Sequence, residues 1–284
     1  MVPVSVHKRS VIALATLLTV IGAAVFGYQY WRHRHDPPVA QRPVVQSVLQ
    51  GPVNSATPSP AQPTPEASSS LPPPATPPAP PASALIQTVP FTIQAPFEKW
   101  DPAHEEYCEA AVVYMVGQYL SGDRRSRLPP AEADAALGRI VAWERASYPG
   151  VINLPLTAMA QVGSQFYKLD AEIQPVSFEA IKQSLADGLP VIVPVMTHGG
   201  PGGSRIYPTY GKDNVYHTLV LVGYDTAQGV VYANDPGLRE GLSLRYGWST
   251  LSTAIGAQSL TRSDSAGKVP SEQGSVMMVF HPRR

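Results

Sequence analysis

The chain has 284 residues and a mass of 30.4 kDa, with 21 basic against 21 acidic side chains and a pI near 7.1, so it lacks the basic surplus that nucleic-acid binding needs. A single cysteine, Cys108, excludes an intramolecular disulfide and a cysteine-rich zinc module. Proline is unevenly spread: fifteen of the 31 fall in residues 36–84, where only Asp36, Arg42 and Glu66 are charged and apolar bulk is too sparse to offset the entropy of ordering.

At the N-terminus, residues 11–31 carry no charge, and at about 1.5 Å per residue they make a helix of roughly 31 Å, the thickness of a hydrocarbon core. Lys8 and Arg9 bound them on one side and Arg32 and Arg34 on the other, with Tyr28, Tyr30 and Trp31 where an interfacial belt belongs. The expectation is a tail and membrane anchor within residues 1–35; a cleaved signal peptide is the alternative. The flanking basic residues are balanced, so a cytoplasmic N-terminus is expected from the next segment instead. Residues 36–84 read as a Pro/Ala/Ser-rich stalk with polyproline II character, a semi-rigid spacer suited to a bacterial-type envelope. A plain linker or an SH3/WW ligand would have the same composition. Residues 85–284 then form one compact domain, long enough for a single core.

Within that domain Val89–Gln94 reads as a short strand. Asp101 followed by Pro102 reads as a helix cap with proline at the first helical position, leading a helix that carries Cys108 near its start and ends at Ser121-Gly122. Helices are expected at residues 130–146 and 156–166, and at 178–187, the last capped by Ser177 and closed by Gly188. Strand signals follow at 190–196, where Pro194 suggests an end or irregularity, then at 216–225 and 229–236 as a hairpin, and at 276–280. Helices first and antiparallel strands later indicate an α+β domain. Leu219–Val222 read as core.

In the hairpin, His217 and Asp235 are symmetric about residue 226, inside the expected turn, and so should face each other directly on one side of the ladder. A carboxylate there orients an imidazole and fixes its tautomer, although an ordinary structural pair has the same spacing. Cys108, near a helix N-terminus, has the placing of an activated thiol, while a small buried hydrophobe is the other fate of a lone cysteine. Glu105, Glu106 and Glu109 surround it with negative charge, so activation depends on His217. His104 and Cys108 at i and i+4 suit metal ligation on a helical face, but no further ligand is identifiable and no metal or cofactor is expected. The glycine-rich loop at residues 199–203 lacks the lysine of a phosphate loop and reads as a flexible rim.

Taken in order, Val89-Pro-Phe-Thr-Ile-Gln94, Trp100-Asp101, His104-Glu-Glu-Tyr-Cys108-Glu-Ala-Ala, Tyr216-His217-Thr-Leu-Val-Leu-Val-Gly-Tyr-Asp and Ala233-Asn-Asp235-Pro-Gly resemble the papain-like cysteine peptidases related to the double-glycine leader (bacteriocin-processing) peptidases. The resemblance runs from about Val89 to Ile255. It implies a papain-like α+β fold with an N-terminal helical part carrying the cysteine, packed on an antiparallel sheet carrying the histidine and aspartate. It also implies Cys108 as nucleophile, His217 as general base, Asp235 as orienting residue and Gln94 as oxyanion donor, although Gln94 lies 14 residues before Cys108 with Ala95–Asp101 inserted between. No transporter segment follows, so leader processing is not the expected substrate choice. The sequence therefore leads to a membrane-anchored cysteine hydrolase acting on a peptide, protein or cell-wall amide outside the cytoplasmic membrane. A non-catalytic papain-like module binding peptide or wall material is the alternative.

Overall fold

A computed structural model describes residues 79–198, 205–211, 214–258 and 275–283. All of them fall in the unit Thr76–Arg284. The expected membrane span, most of the stalk and the glycine-rich loop at 199–203 lie outside the described residues. Among the described residues no helix is long and apolar enough to cross a membrane.

The elements in chain order are β1 (Ser83–Leu85), a 3-10 turn (His104–Glu106), α1 (Cys108–Leu120), α2 (Pro130–Ser147), α3 (Leu156–Tyr167), β2 (Leu169–Pro175), α4 (Phe178–Ala186), β3 (Val191–Met196), β4 (Tyr216–Asp225), β5 (Val230–Asn234), β6 (Leu244–Gly247), α5 (Trp248–Gln258) and β7 (Val276–Pro282). The strands form one sheet in the order β2-β7-β3-β4-β5-β6, every pairing antiparallel, with β1 added on β4. Alternation along the strands divides the core in two. Ile192, Val220, Val222, Met278 and Phe280 face α1, α2 and α3. Val191, Val193, Leu219, Leu221, Met277 and Val279 face the opposite way, where Ile181 and Leu185 of α4 and Leu251, Ala254 and Ile255 of α5 cover them. The α+β class and the packing of a cysteine-bearing helical part on an antiparallel sheet are as the sequence predicts.

Helix α1 is buried on all sides from Cys108 to Gly117, because it lies between α2, α3 and the sheet. It begins at Cys108, later than the predicted cap at Asp101. Asp101 Oδ1 instead accepts from the Ala103 and His104 amides at 3.1 Å each and caps the separate 3-10 turn. Ser177 caps α4 as expected, its Oγ accepting from Ala180 N. Residues 89–94 are not a strand: Phe91 makes a single bridge, to Arg127, and the segment runs buried beneath the 3-10 turn. Pro194 sits within β3 where that strand has run past β7, so its missing N–H is not needed on that side. The sheet begins at β1, before the predicted domain start: Ala82 O accepts from Thr226 N, and Tyr224 donates to Pro81 O.

The β4–β5 hairpin forms, but its register differs from the predicted one. Tyr224 faces Val231 and Gly223 faces Tyr232, and then the ladder shifts, so that Leu221 faces Ala233 and Val220 faces Asn234. This irregularity re-phases the two strands. Continuing the unshifted register would set Asp235 across from Val220, on the opposite face from His217. With the shift, Asp235, one residue beyond β5, shares a face with His217 although the two are diagonal rather than directly opposed. Gly223 stands at the shift because β1 crosses there: a Cβ would meet Ala84 O at 2.7 Å.

Glu144 on α2 is a buried carboxyl whose Oε1 has no hydrogen-bond partner. Burial, with the nearby Glu109 charge, pushes its pKa from the ordinary 4.5 up to about 8. An acid with a raised folded pKa holds a proton that the unfolded chain has released, so stability falls as pH rises from about 4.5 to about 8. Glu144→Gln should therefore raise the thermal midpoint at pH 9 and leave it nearly unchanged at pH 4, measured by circular dichroism melts.

Candidate active site

Asp235 is wholly buried, and its position is set by a tight loop in which Asp235 N donates to Gly241 O at 2.8 Å. An unpaired carboxylate there would cost several kcal/mol, so the donors around it decide whether it can stay charged. Oδ1 accepts from His217 Nε2 at 2.8 Å and from Gly237 N at 2.8 Å, and Oδ2 accepts from Tyr210 Oη at 2.7 Å and from Tyr246 Oη. Hydrogen bonds to a charged group contribute about 1.5–3 kcal/mol each, so four offset the desolvation. Burial alone would raise the pKa of Asp235, but attraction to His217 and the bonds from His217, Tyr246 and Tyr210 outweigh it and hold the group below the ordinary 3.8. With Nε2 engaged, Nδ1 is the imidazole nitrogen left for chemistry. Tyr210 also packs edge-on to the His217 ring at 5.7 Å. Gly237 leaves the ring its space, since a Cβ there would lie 2.9 Å from His217 Cε1.

Cys108 opens α1 with its side chain buried. Its Sγ donates to Glu109 Oε2 at 3.0 Å, and the thiol pKa is pushed well above the ordinary 9.0, by burial first and then by the Glu109 charge and hydrogen bond. Thr218, the residue after His217, lies beside the sulfur and works the other way. The nucleophile candidate thus reaches the end of β4 that carries His217, while its hydrogen bond goes to a carboxylate. The sequence flags this negative environment, but not that Glu109 is the buried member of the three glutamates, with Glu105 and Glu106 more exposed.

Gln94 is buried directly under the 3-10 turn, its backbone N donating to Pro236 O. Its Nε2 donates to His104 O at 2.9 Å and Glu105 O at 2.8 Å, and its Oε1 is buried without a partner. Both N–H groups of the amide to which the resemblance gives the oxyanion role are thus engaged by the turn. His104 departs from expectation: it precedes α1, so no i, i+4 helical face exists with Cys108, and its ring nitrogens lie against Asp101 Oδ1 (2.8 Å) and Asp134 Oδ1 (3.2 Å). Among the described residues no group of three candidate ligands could hold a metal ion. Tyr210, Tyr246 and Gly237 were not predicted. Only Gly237 had a signal, the turn-forming Asp235-Pro236-Gly237 run.

Among curated proteins none matches this chain. Among solved structures, one protein from Bacillus anthracis assigned as a C39-like peptidase is 17% identical over 71% of this chain and 98% of its own, with a TM-score of 0.44. Xylellain, a cysteine protease from Xylella fastidiosa, is 14% identical over 72% of this chain and 88% of its own, with a TM-score of 0.28. The model of the Peptidase_C39-like family matches residues 86–252, which include Gln94, Cys108, His217 and Asp235, more than half of the sequence, and the chain belongs to that family.

Proposed function

We propose that this C39-like cysteine peptidase hydrolyses peptide or amide bonds through a Cys108–His217–Asp235 triad, and that residues 11–31 anchor it in the cytoplasmic membrane with the domain held outside on its proline-rich stalk. The substrates would be peptides, proteins or cell-wall amides. The observation that carries the triad is the buried Asp235 carboxylate on His217 Nε2, which leaves Nδ1 as the base at the end of β4 nearest the thiol.

In the first half-reaction His217 Nδ1 takes the Cys108 proton, the thiolate adds to the substrate carbonyl carbon, and the imidazolium returns the proton to the departing nitrogen as the C–N bond breaks. A thioester remains. In the second, Nδ1 deprotonates a water that attacks the thioester, and the thiolate leaves. Asp235 keeps the tautomer and stabilises the transient imidazolium. No metal or cofactor enters these steps. For them to occur, the sulfur must leave Glu109 Oε2, and Gln94 serves the oxyanion only after its amide releases the His104 and Glu105 carbonyls. Those two engaged groups favour the second reading, a non-catalytic module binding peptide or wall material. Labelling with a thiol-directed active-site probe separates the two, since only a competent nucleophile reacts at low probe concentration.

Cys108→Ser should fold normally yet lose on the order of 10³-fold or more in turnover, because a serine hydroxyl stays protonated where a thiol ionises. Wild-type rates from the purified variant would end the assignment. His217→Ala should cost more than Asp235→Asn, and the double variant little more than His217→Ala alone, since groups acting as a unit are not additive; independent losses measured as kcat/KM would separate the two residues. For the anchor, protease added to intact cells or spheroplasts should remove the domain, and protection until lysis would reverse the orientation.

A further inference from the structure

Glu109 is buried, belongs to the first turn of α1 and takes no part in the proposed chemistry, yet both of its carboxylate oxygens are committed. Oε2 accepts from Cys108 Sγ at 3.0 Å, and Oε1 accepts from Leu154 N at 2.9 Å, across 45 residues of sequence. Leu154 is itself buried and lies near the end of the segment between α2 and α3. Its carbonyl accepts from Tyr216 Oη at 2.8 Å, and Tyr216 is the residue before His217. One residue, Leu154, is therefore held at its N–H by the neighbour of the nucleophile and at its C=O by the neighbour of the base. The path Cys108, Glu109, Leu154, Tyr216, His217 joins helix to strand without passing through Asp235.

We propose that Glu109 is a positioning residue for the nucleophile, pinning the Cys108 thiol through its Oε2 while its Oε1, through the Leu154 peptide and Tyr216, fixes that thiol against the strand that bears His217. This rests on the reading of Cys108 as nucleophile and extends it: the domain holds its sulfur as a neutral thiol on a carboxylate until substrate draws it to the imidazole. Loss of the Glu109 charge frees the thiolate to form at lower pH. Beside Glu109, the titratable groups on the elements packed about the sulfur are Glu106 from the 3-10 turn, Tyr210 from the segment before β4 and, from β4, His217, the base of the proposed triad; those facing the Glu109 carboxyl are Glu106 and, from α2, Glu144. Glu109 and Glu106 are the acidic neighbours that hold the thiol neutral, and of the two Glu109 alone makes a hydrogen bond to the sulfur.

The test is the rate of iodoacetamide alkylation of Cys108 in the full chain as a function of pH, a measurement that needs no substrate. Glu109→Gln keeps an acceptor for Leu154 N and turns an N–H₂ toward the sulfur, so the midpoint of the profile should fall by about one pH unit or more, with about tenfold faster alkylation on the acidic side. Tyr216→Phe cuts the path at its far end without touching the carboxyl and should leave the midpoint in place. An unchanged midpoint in Glu109→Gln overturns the proposal, and so does an equal shift in Tyr216→Phe, which would mean general loosening. If Glu109→Gln does not fold, Glu109→Asp, which withdraws the carboxylate by one methylene, should move the midpoint the same way by less, and no movement overturns the proposal. Retained turnover in Cys108→Ser would defeat the catalytic reading without altering the alkylation profile, so the two failures are told apart.

Discussion

A carboxylate with no exposed surface needs donors from every direction, and Asp235 draws them from four places in the chain: the start of β4, the segment before it, strand β6 and the loop that carries Asp235 itself. Removing any one donor leaves the others to carry a buried charge, so these segments are coupled more tightly than apolar packing alone would couple them. The same four bonds orient the imidazole, exclude water from Nε2 and place both tyrosine rings against the strand end. Desolvation pushes the hydroxyls of Tyr210 and Tyr246 well above ordinary phenol pKa values, and the Asp235 charge adds to it, so they remain donors throughout the physiological range.

Much of the domain can be read from local chemistry. The helices at 130–147, 156–167 and 178–186 follow from periodicity and, at Ser177, a cap; the hairpin follows from two β-rich runs around a turn; and the α+β order follows from their sequence. Of the site, Cys108, His217 and Asp235 are legible by residue type and spacing. The rest depends on tertiary context. Asp101-Pro102 has the chemistry of a helix start and does cap a turn, but Gln94 reaching up to the His104 and Glu105 carbonyls ends that turn and lets α1 begin afresh at Cys108. Ser83–Leu85 look like the end of a proline-rich tract and become a strand only because β4 offers an unpaired edge beyond β3. The hairpin centre, predicted at residue 226, lies about one residue later, so Asp235 falls two residues from the position opposite His217, because an apolar run does not fix its own register.

The environment of the thiol has a similar origin. In the sequence three glutamates within five residues surround the thiol with negative charge, an effect that water would screen if all three stayed exposed. Packing removes one of them from water: Glu109 turns inward toward Leu154 N, and its influence on the sulfur becomes a direct contact in low dielectric. Gln94 is the mirror case, a residue that the sequence singles out but whose donors packing spends on the carbonyls of the 3-10 turn, leaving its Oε1 buried without a partner.

The attachment of β1 also sets where the preceding chain joins the sheet. Ser83, Ala84 and Leu85 pair with Asp225, Tyr224 and Gly223, at the turn end of β4, whereas His217 lies at the other end, about 26 Å away at about 3.3 Å per residue. The chain entering at Pro80 and Pro81 therefore grips the sheet by the end remote from the imidazole. Tension applied through the N-terminal segment would be borne first by three residue pairs of β1 and by Gly223, well away from the Asp235 cluster. A pull that peeled this short strand would unload before it reached the Asp235 cluster.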